Sequence, residues 1–367
     1  MEVYKDLNEI NSTISGIILS EFNKKIKYDL ELEDYLKSYT KDELLKFYAT
    51  YLVYNDNIDE LLTFKAINGQ KKDKIVSKVS SNIRNIMNTY LCIMKTSCFN
   101  DLKKYFKDSN RVSFTFENGE KIKMMTIIEL RSLFFVKCYY NKKNDKIDLY
   151  IPEYFYDVFK ELVSDKNVNK TNIKNNKIYK CIYSLVSTYG ILTFEETHEL
   201  LKKIGVSVKY DDFENLILTE YNDSRGYYFT CNEYGKLIYN IEYEEPDFLY
   251  DYCDVLSQEV NRNLDASIIK MIGEDKYIYE LKPYKLLIKY LSNEYPTFKF
   301  DHKYFDMMIV LDFLSTVQLD EEEAINNFYH NIDYDFDDLN KEEKEKILKY
   351  LFEIFKCYPK WNKRGNL

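Results

Sequence analysis

The stretch STYGILTFEETHELLKKIG, residues 187–205, decides the predicted fold of the middle of the chain. One helix is expected to end at Tyr189-Gly190, because glycine suits the left-handed backbone that closes many helices. Thr193 lies three residues before Glu196, and this spacing is the capping box that begins a helix. A helix therefore stops and another starts within four residues.

The residues on either side extend this pattern. A third helix is predicted in FENLILTEY (213–221), and SRGYYFTCNEYGKLIYNIEYEE (224–245) carries the glycines and alternating apolar residues of a β-hairpin. Three helices followed by a hairpin are typical of a helix-turn-helix with a wing. We therefore expect a winged-helix-like domain over residues 176–245.

The preceding segment, residues 96–175, shows a related order. A hairpin is predicted around Asn118-Gly119 in RVSFTFENGEKIKMM, since this dipeptide suits a two-residue turn. VKCYYNKKNDKIDLY (136–150) predicts strand, basic turn and strand, and Pro152 favours a helix start directly afterwards. This segment is the second predicted winged-helix-like domain.

Helices dominate both ends of the chain. Thr40 and Glu43 form a capping box for a predicted helix over about 41–53, and Asn340 with Glu343 form another near the C-terminus. The predicted C-terminal helices cover about 246–261, 280–293, 302–316, 320–331 and 340–357.

The predicted fold class is mainly α with small β-hairpins, in which winged-helix-like modules precede a C-terminal helical bundle. The predicted domains are a helical module over 1–95, winged-helix-like domains over 96–175 and 176–245, and an acidic helical bundle over 246–367.

The composition is that of a globular chain outside membranes. Of 367 residues, 31% are charged, and no apolar run approaches the roughly 20 residues of a membrane span. The N-terminus lacks the basic and apolar regions of a signal peptide, and the seven cysteines are irregularly spaced. We expect a cytoplasmic protein with reduced cysteines and no membrane partner.

Charge is unevenly distributed along the chain. Residues 65–180 contain 24 Lys and Arg against 12 Asp and Glu, a net charge of +12, whereas residues 181–367 contain 21 against 36, a net charge of −15. Such asymmetry is typical of a nucleic-acid or acidic-partner surface, although a solvated lysine-rich face is the other explanation.

Catalytic and metal-binding motifs are not evident. The nine glycines form no phosphate-binding loop, and His198-Glu199 lacks the second histidine of a zinc hydrolase, so His198 is expected on a helix surface. Cys92 and Cys98 have the wrong spacing for a zinc knuckle and are expected in the core. The sequence predicts no enzyme activity, no metal site and no cofactor.

The basic residues are the candidate site. Lysine charges and free backbone N–H groups at a helix start together suit phosphates, and lysine lacks the fork that reads bases. The predicted nucleic-acid-binding residues are Lys65, Lys71, Lys72, Lys74, Lys78, Arg84, Lys142, Lys143 and Lys146. The lysines of KNVNKTNIKNNKIYK, residues 166–180, extend this surface.

A family resemblance begins in the N-terminal module. YTKDELLKFYATYLV and FKAINGQKKDKIVSKV, within about 40–80, resemble the helical module at the N-terminus of transcription terminator Rho and SAP-type modules. The residues that match the signature loosely are Gly69, Lys71, Lys72, Asp73, Lys74 and Ile75. The resemblance implies a small helical fold with a helix-turn-helix.

More of the chain resembles bacterial SEC-C-associated proteins. IDLYIPEYFYDVF, LVSTYGILTFEETHELL and KILKYLFEIFKCYPKWNKRGNL carry this likeness. In that family a segment with tryptophan and glycine at similar spacing leads into a cysteine-rich zinc module, whereas only Cys357 occurs near that place here, so the family's metal site is not expected. The resemblance implies that Trp361 and Gly365 mark a join, with Trp361 packing against the terminal bundle, whereas the alternative is an ordinary aromatic anchor that fastens the tail.

Two functional hypotheses follow. The first is a nucleic-acid-binding regulator or accessory factor that contacts phosphates of DNA or RNA through residues 65–180. The second is a protein-interaction scaffold in which the winged-helix surfaces and the acidic C-terminal half engage a protein partner.

Overall fold

The computed structural model describes residues 31–56, 71–115, 130, 133–141, 146–219, 226–232, 235–240, 252–294, 326, 330, 340–361 and 363–366. Contacts divide the chain into two compact units. The first unit comprises Met1–Asn176 and Glu214–Tyr221, and the second comprises Lys177–Phe213 and Asn222–Leu367. The four-domain division expected from the sequence stays a prediction.

The first unit is helical around one small sheet. Its elements are α1 (Leu32–Lys37), α2 (Lys41–Tyr54), α3 (Lys72–Ser81), α4 (Ile83–Ile93), α5 (Thr96–Tyr105), β1 (Arg111–Thr115), β2 (Lys137–Asn141), β3 (Lys146–Tyr150), α6 (Glu153–Ser164) and the first part of α7 (Lys166–Tyr189). The three strands are antiparallel in the order β1-β3-β2. The capping box of Thr40 and Glu43 is present at the start of α2, and Pro152 precedes α6, as predicted.

One apolar cluster holds the first unit together. It extends from Tyr35 to Val168 and includes Phe134, which contacts the ring of Phe47 at 5.1 Å between centroids. Ile147 and Leu149 alternate with Asp148 along β3 and lie in this cluster, so one face of the sheet is the core face. Burial of large aromatic side chains is therefore the main stabilising contribution.

The second unit begins with the rest of α7 and a second sheet. It contains β4 (Ile191–Thr193), α8 (Phe194–Lys203), β5 (Tyr227–Asn232) and β6 (Gly235–Asn240), with α9 (Tyr210–Leu218) starting within it. The strand order is β4-β6-β5 and all pairs are antiparallel. The predicted capping box of Thr193 and Glu196 is present, and Gly190 has the positive φ expected at the end of α7.

Helices complete the second unit. They are α10 (Tyr252–Ser257), α11 (Ala266–Ile272), α12 (Tyr277–Glu280), α13 (Lys282–Glu294) and α14 (Lys341–Lys356). α13 packs against α14, and Trp361 is buried in the cluster that they share. The Nε1–H of Trp361 donates to the carbonyl oxygen of Ser187 at 2.9 Å. Trp361 thus packs on the terminal helices, as expected, whereas its interpretation as the mark of a join stays a prediction.

The chain is thus mainly helical with two small antiparallel sheets, which confirms the predicted fold class. The expectation for His198 is wrong, because its ring is only 8% exposed. It stacks on Phe213 and its Nε2 lies 2.8 Å from the carbonyl oxygen of Val208. The segment 204–209 folds back over this side of α8, and no helical period in α8 alone encodes that cover.

Several predictions fall outside the described residues. These are the turn at Asn118-Gly119, the helix over 302–316 and, apart from residues 326 and 330, the helix over 320–331. β1 pairs with β3, a strand that lies more than thirty residues along the chain.

None of the helices in the described part of the chain is long and apolar enough to cross a membrane.

Candidate polyanion-binding surface

The predicted basic residues of the N-terminal module gather on α3. Lys71 is its N-cap, and Lys74 and Lys78 lie one turn apart on the helix, while Ile75, Val76 and Val79 face the core. Lys71 and Lys74 are exposed. α3 therefore offers two fully solvated ammonium groups beside its first turn.

Other predicted residues are engaged within the first unit. Lys72 donates to the carbonyl oxygen of Lys37 at 2.6 Å, and the ammonium of Lys78 lies 5.7 Å from the centre of the Tyr48 ring. Arg84 on α4 forms an exposed ion pair with Glu161 on α6. These contacts hold the side chains close to the protein, so their charges are partly satisfied without a ligand.

The remaining predicted residues are dispersed. Lys146 begins β3, where Thr115 and Asn141 are its neighbours across the strands. Lys65, Lys142 and Lys143 lie outside the described residues. The assignment of all nine residues as a nucleic-acid surface stays a prediction.

Three exposed lysines on α7 belong to the first unit. Lys166, Lys170 and Lys174 follow one another at intervals of four residues, about 6 Å along the axis, and all are exposed. The sequence of α7 contains no acidic residue. Since side chains four apart lie on the same helical face, these lysines form an uninterrupted basic row.

Asparagines on the opposite face of α7 fix the position of this lysine row by hydrogen bonds to the end of α4. Asn172 donates to the carbonyl oxygens of Leu91 and Met94, each at 2.8 Å. Asn175 donates to the carbonyl oxygen of Cys92 at 3.1 Å, and Asn176 to that of Met94 at 2.9 Å. The last carbonyl groups of a helix lack partners within it, so α7 satisfies the end of α4.

Two of these asparagines also form hydrogen bonds with the start of α5. The backbone N–H of Thr96 donates to Oδ1 of Asn176 at 3.2 Å, and its hydroxyl donates to Oδ1 of Asn172 at 2.8 Å. At the other end of α5, Lys103 donates to Oδ1 of Asn169 at 3.3 Å. α5 and α7 therefore run antiparallel, and a fourth lysine reaches the basic row.

Lys103 and the asparagines were missed by the sequence analysis. Lys103 appears in the basic segment but carries no spacing that relates it to residue 169. The run of asparagines resembles any polar helix face. A spacing of three or four residues at Asn169, Asn172, Asn175 and Asn176 was the available signal.

The second unit presents exposed carboxylates on α8 and at the start of α9. Asp211 and Asp212 are exposed in the first turn of α9, and Glu195 and Glu199 are exposed on α8. The hydroxyl of Tyr210 donates to Glu195 at 2.9 Å, and Arg262 pairs with Glu199 at 3.2 Å. Carboxylates here would repel phosphates.

Metal chemistry finds no support in the part of the chain that the structure describes, where no group of three His, Cys, Asp or Glu could hold an ion. Cys92 and Cys98 are buried and free, which confirms their expected place in the core. Burial raises the pKa of the Cys92 thiol to about 11, so it stays protonated near neutral pH.

Comparisons with family models, with curated proteins and with solved structures found no match to this chain. The resemblance to SEC-C-associated proteins and Rho-type modules therefore stays a prediction.

Proposed function

We propose that this chain is a non-enzymatic, cytoplasmic nucleic-acid-binding regulator or accessory factor whose first unit contacts phosphate groups. The observation that carries the proposal is the basic row of Lys166, Lys170 and Lys174 on a helix without acidic residues. Neither an ion pair nor a hydrogen bond to another described residue engages these ammonium groups. Unpaired cations at regular spacing are what a polyanion neutralises.

The rigidity of α7 adds support. Asn172 is fully buried and Asn175 is 6% exposed, so the face opposite the lysines is fixed by hydrogen bonds. A fixed row loses less side-chain and backbone freedom on binding than a mobile tail would. The exposed Lys71 and Lys74 on α3 supply a second cationic element in the same unit.

Lysine dominates both elements, and this favours binding without base readout. An ammonium is a point charge, whereas guanine is read by the paired donors of arginine. We therefore expect contact with backbone phosphates of DNA or RNA and a steep dependence of affinity on salt.

Fluorescence anisotropy of the full chain against duplex DNA, single-stranded DNA and RNA at two salt concentrations tests the proposal. The charge-reversed variant carries Lys166→Glu and Lys174→Glu. Its matched control carries Lys282→Glu and Lys349→Glu, two exposed lysines of the second unit. We expect the first variant to bind at least tenfold more weakly and with a shallower salt slope, because phosphate contacts are lost.

The control variant has the same net charge and should bind like the original chain. Equal weakening in both variants would mean that net charge alone drives the association. Absence of binding by the original chain to all three nucleic acids at low salt would refute the proposed function.

A protein-interaction role for the second unit is the second candidate. Its order α7-β4-α8-α9-β5-β6 with strands β4-β6-β5 supports the winged-helix-like assignment, in which α9 would be the recognition helix. The exposed Asp211 and Asp212 make this helix unsuited to a DNA groove. A basic protein surface fits that charge better.

This candidate predicts one defined partner. Tagged full-length chain would be used to capture proteins after nuclease treatment, in parallel with a variant carrying Asp211→Asn and Asp212→Asn. Loss of the same partner from the variant would support the scaffold role, whereas retention of every captured protein by both chains would reject α9 as the contact.

A further inference from the structure

A shallow cleft lies in the first unit, beside the N-terminal end of α7. Its volume is ≈ 420 Å³, within the range of about 300–1,000 Å³ that is usual for small-ligand sites. The residues that line it come from three helices and their junction: Lys103, Ser164, Lys166, Asn169, Lys170 and Ile173. Half of these side chains are lysines.

The antiparallel packing of α5 on α7 creates this concentration of charge. Thr96, at the start of α5, is bound by Asn172 and Asn176, and this places the end of α5 against the first turns of α7. Lys103 thereby reaches the same cleft as Lys166 and Lys170. Lysines from two helices, α5 and α7, thus line one concave surface.

Asn169 is the residue that positions Lys103. Its Nδ2 group donates to the carbonyl oxygens of Val163 at 3.0 Å and Asp165 at 2.7 Å, so the amide orientation is set. Its Oδ1 consequently faces outward and accepts from Lys103 at 3.3 Å. This neutral partner holds the ammonium without cancelling its charge.

Two polar neighbours of the cleft are engaged by the backbone. The carboxylate of Asp165 accepts the backbone N–H of Asn167 at 2.7 Å and so caps the first turn of α7. The hydroxyl of Ser164 donates to the carbonyl oxygen of Lys160 at 2.7 Å. Three lysines against the one carboxylate of Asp165 leave a net positive charge at the cleft.

We propose that this cleft binds a phosphate monoester, the dianion found at the end of a nucleic-acid strand or on a mononucleotide. The inference deepens the proposed function and rests on it, since it adds one specific phosphate site to a general phosphate surface. A monoester carries a charge of about −1.5 to −2 at pH 7, whereas each internal phosphate of a strand carries one negative charge. Three lysines that line one cleft therefore favour the terminal group.

Ile173 supports a nucleotide over a bare anion. Its side chain is 62% exposed although it lines the cleft between two basic turns of α7. An apolar side chain at that place offers a surface for the sugar or base attached to the phosphate. Inorganic phosphate would contact only the lysines of the cleft and not Ile173.

The test measures the affinity of the full chain for single strands of about ten nucleotides that carry a 3′ fluorophore and either a 5′-phosphate or a 5′-hydroxyl. Adenosine 5′-monophosphate and inorganic phosphate are titrated separately by calorimetry. One variant carries Lys103→Gln and Lys170→Gln. The matched control carries Lys41→Gln and Lys46→Gln on α2, which remove equal charge from the same unit.

We expect the 5′-phosphorylated strand to bind about tenfold more tightly than the 5′-hydroxyl strand, a difference that Lys103→Gln with Lys170→Gln abolishes and the α2 control preserves. Equal affinity of both strands, with no measurable binding of the monophosphate, would overturn the monoester site while leaving general nucleic-acid binding intact. Binding of the monophosphate alone, lost in the cleft variant, would establish the site and reject the proposed function. No binding of any probe would refute both.

Discussion

The side-chain amide of Asn172 donates to the carbonyl oxygen of Leu91 at 2.8 Å, a contact between residues that are 81 positions apart. Asn172 is fully buried and also binds Met94 and Thr96. Asn172 on α7 thus hydrogen-bonds both the C-terminal end of α4 and the N-terminal end of α5. Because α4 ends and α5 begins at this point, the position of α5, and with it of Lys103 in the cleft, depends on this residue.

Replacement of Asn172 tests this dependence. Asn172→Ala leaves the carbonyl group of Leu91 and the hydroxyl of Thr96 without their partner, while Asn176 still donates to Met94, and we expect a loss of about 2–3 kcal/mol in the free energy of unfolding. Asn167→Ala on the exposed side of the same helix is the control, with an expected change within about 0.5 kcal/mol. Urea unfolding followed by circular dichroism measures both. Equal midpoints for the two variants would contradict the bridging role.

The buried guanidinium of Arg364 and an exposed arginine provide a second comparison. Arg364 is 2% exposed, pairs with Glu196 and donates to the carbonyl oxygen of Gln258 at 3.0 Å. Removal of one member of a buried pair leaves an uncompensated charge, so Arg364→Ala should cost about 3–5 kcal/mol.

Arg262→Ala is the matched change. Arg262 pairs with Glu199, which lies on α8 as Glu196 does, but both side chains of this pair are exposed. We expect it to cost at most about 1 kcal/mol. Thermal unfolding of the two variants should separate them clearly, and similar melting temperatures would show that the C-terminal residues contribute little to the second unit.

Alanine substitutions at two glycines distinguish the cost of backbone strain from the cost of steric overlap. Gly205 and Gly365 have nearly the same φ, +83° and +81°, but a methyl group at Gly205 would meet no atom within 4 Å. At Gly365 it would lie 2.5 Å from the ring of Tyr189. We expect Gly205→Ala to cost about 1–2 kcal/mol and Gly365→Ala about 2–5 kcal/mol, because overpacking adds to the strain.

The same unfolding assay compares the two glycine variants. A cost for Gly365→Ala that equals the cost for Gly205→Ala would mean that the C-terminal segment moves away from Tyr189 without penalty.

Glu274 should make the stability of the second unit depend on pH in the acidic range. Hydrogen bonds from Lys276 and Lys180, at 2.8 Å and 2.9 Å, lower the pKa of its carboxyl group to about 2. A lowered pKa in the folded state contributes stability above the unfolded value near 4.5, and this contribution is lost as pH falls towards 2.

Glu274→Gln is therefore expected to lower the melting temperature at pH 7 and to have little effect near pH 2. Asp275→Asn is not a suitable control because burial raises the pKa of Asp275. Glu280→Gln, which removes the exposed pair with Lys285, serves instead. A melting-temperature difference that is constant from pH 7 to pH 2 would exclude the ionised form of Glu274 as its source.

Local signals in the sequence predicted the helix starts correctly. The capping boxes of Thr40, Thr193 and Asn340 each connect residues three apart, and all three are present in the structure. The strands β2 and β3 were also predicted, since only four residues separate them in the sequence. Such contacts need no information from distant parts of the chain.

Long-range contacts were beyond the sequence. The pairing of β1 with β3 skips more than twenty intervening residues, and the cover over His198 comes from Val208, on a segment outside its own helix. The asparagines of α7 show the same limit, because their partners Leu91, Cys92 and Met94 are some eighty positions away. No periodicity within one segment reports on these partners.

The sequence by itself thus determined the helical class, the helix starts marked by capping boxes, and the basic character of residues 65–180. Only the tertiary structure decided which basic residues share a surface: it engages Lys72 and Lys78 with the protein and brings Lys103 beside Lys166 and Lys170. The physical reason is that helix propensity and capping act over three or four residues, whereas convergence of side chains depends on the packing of whole helices.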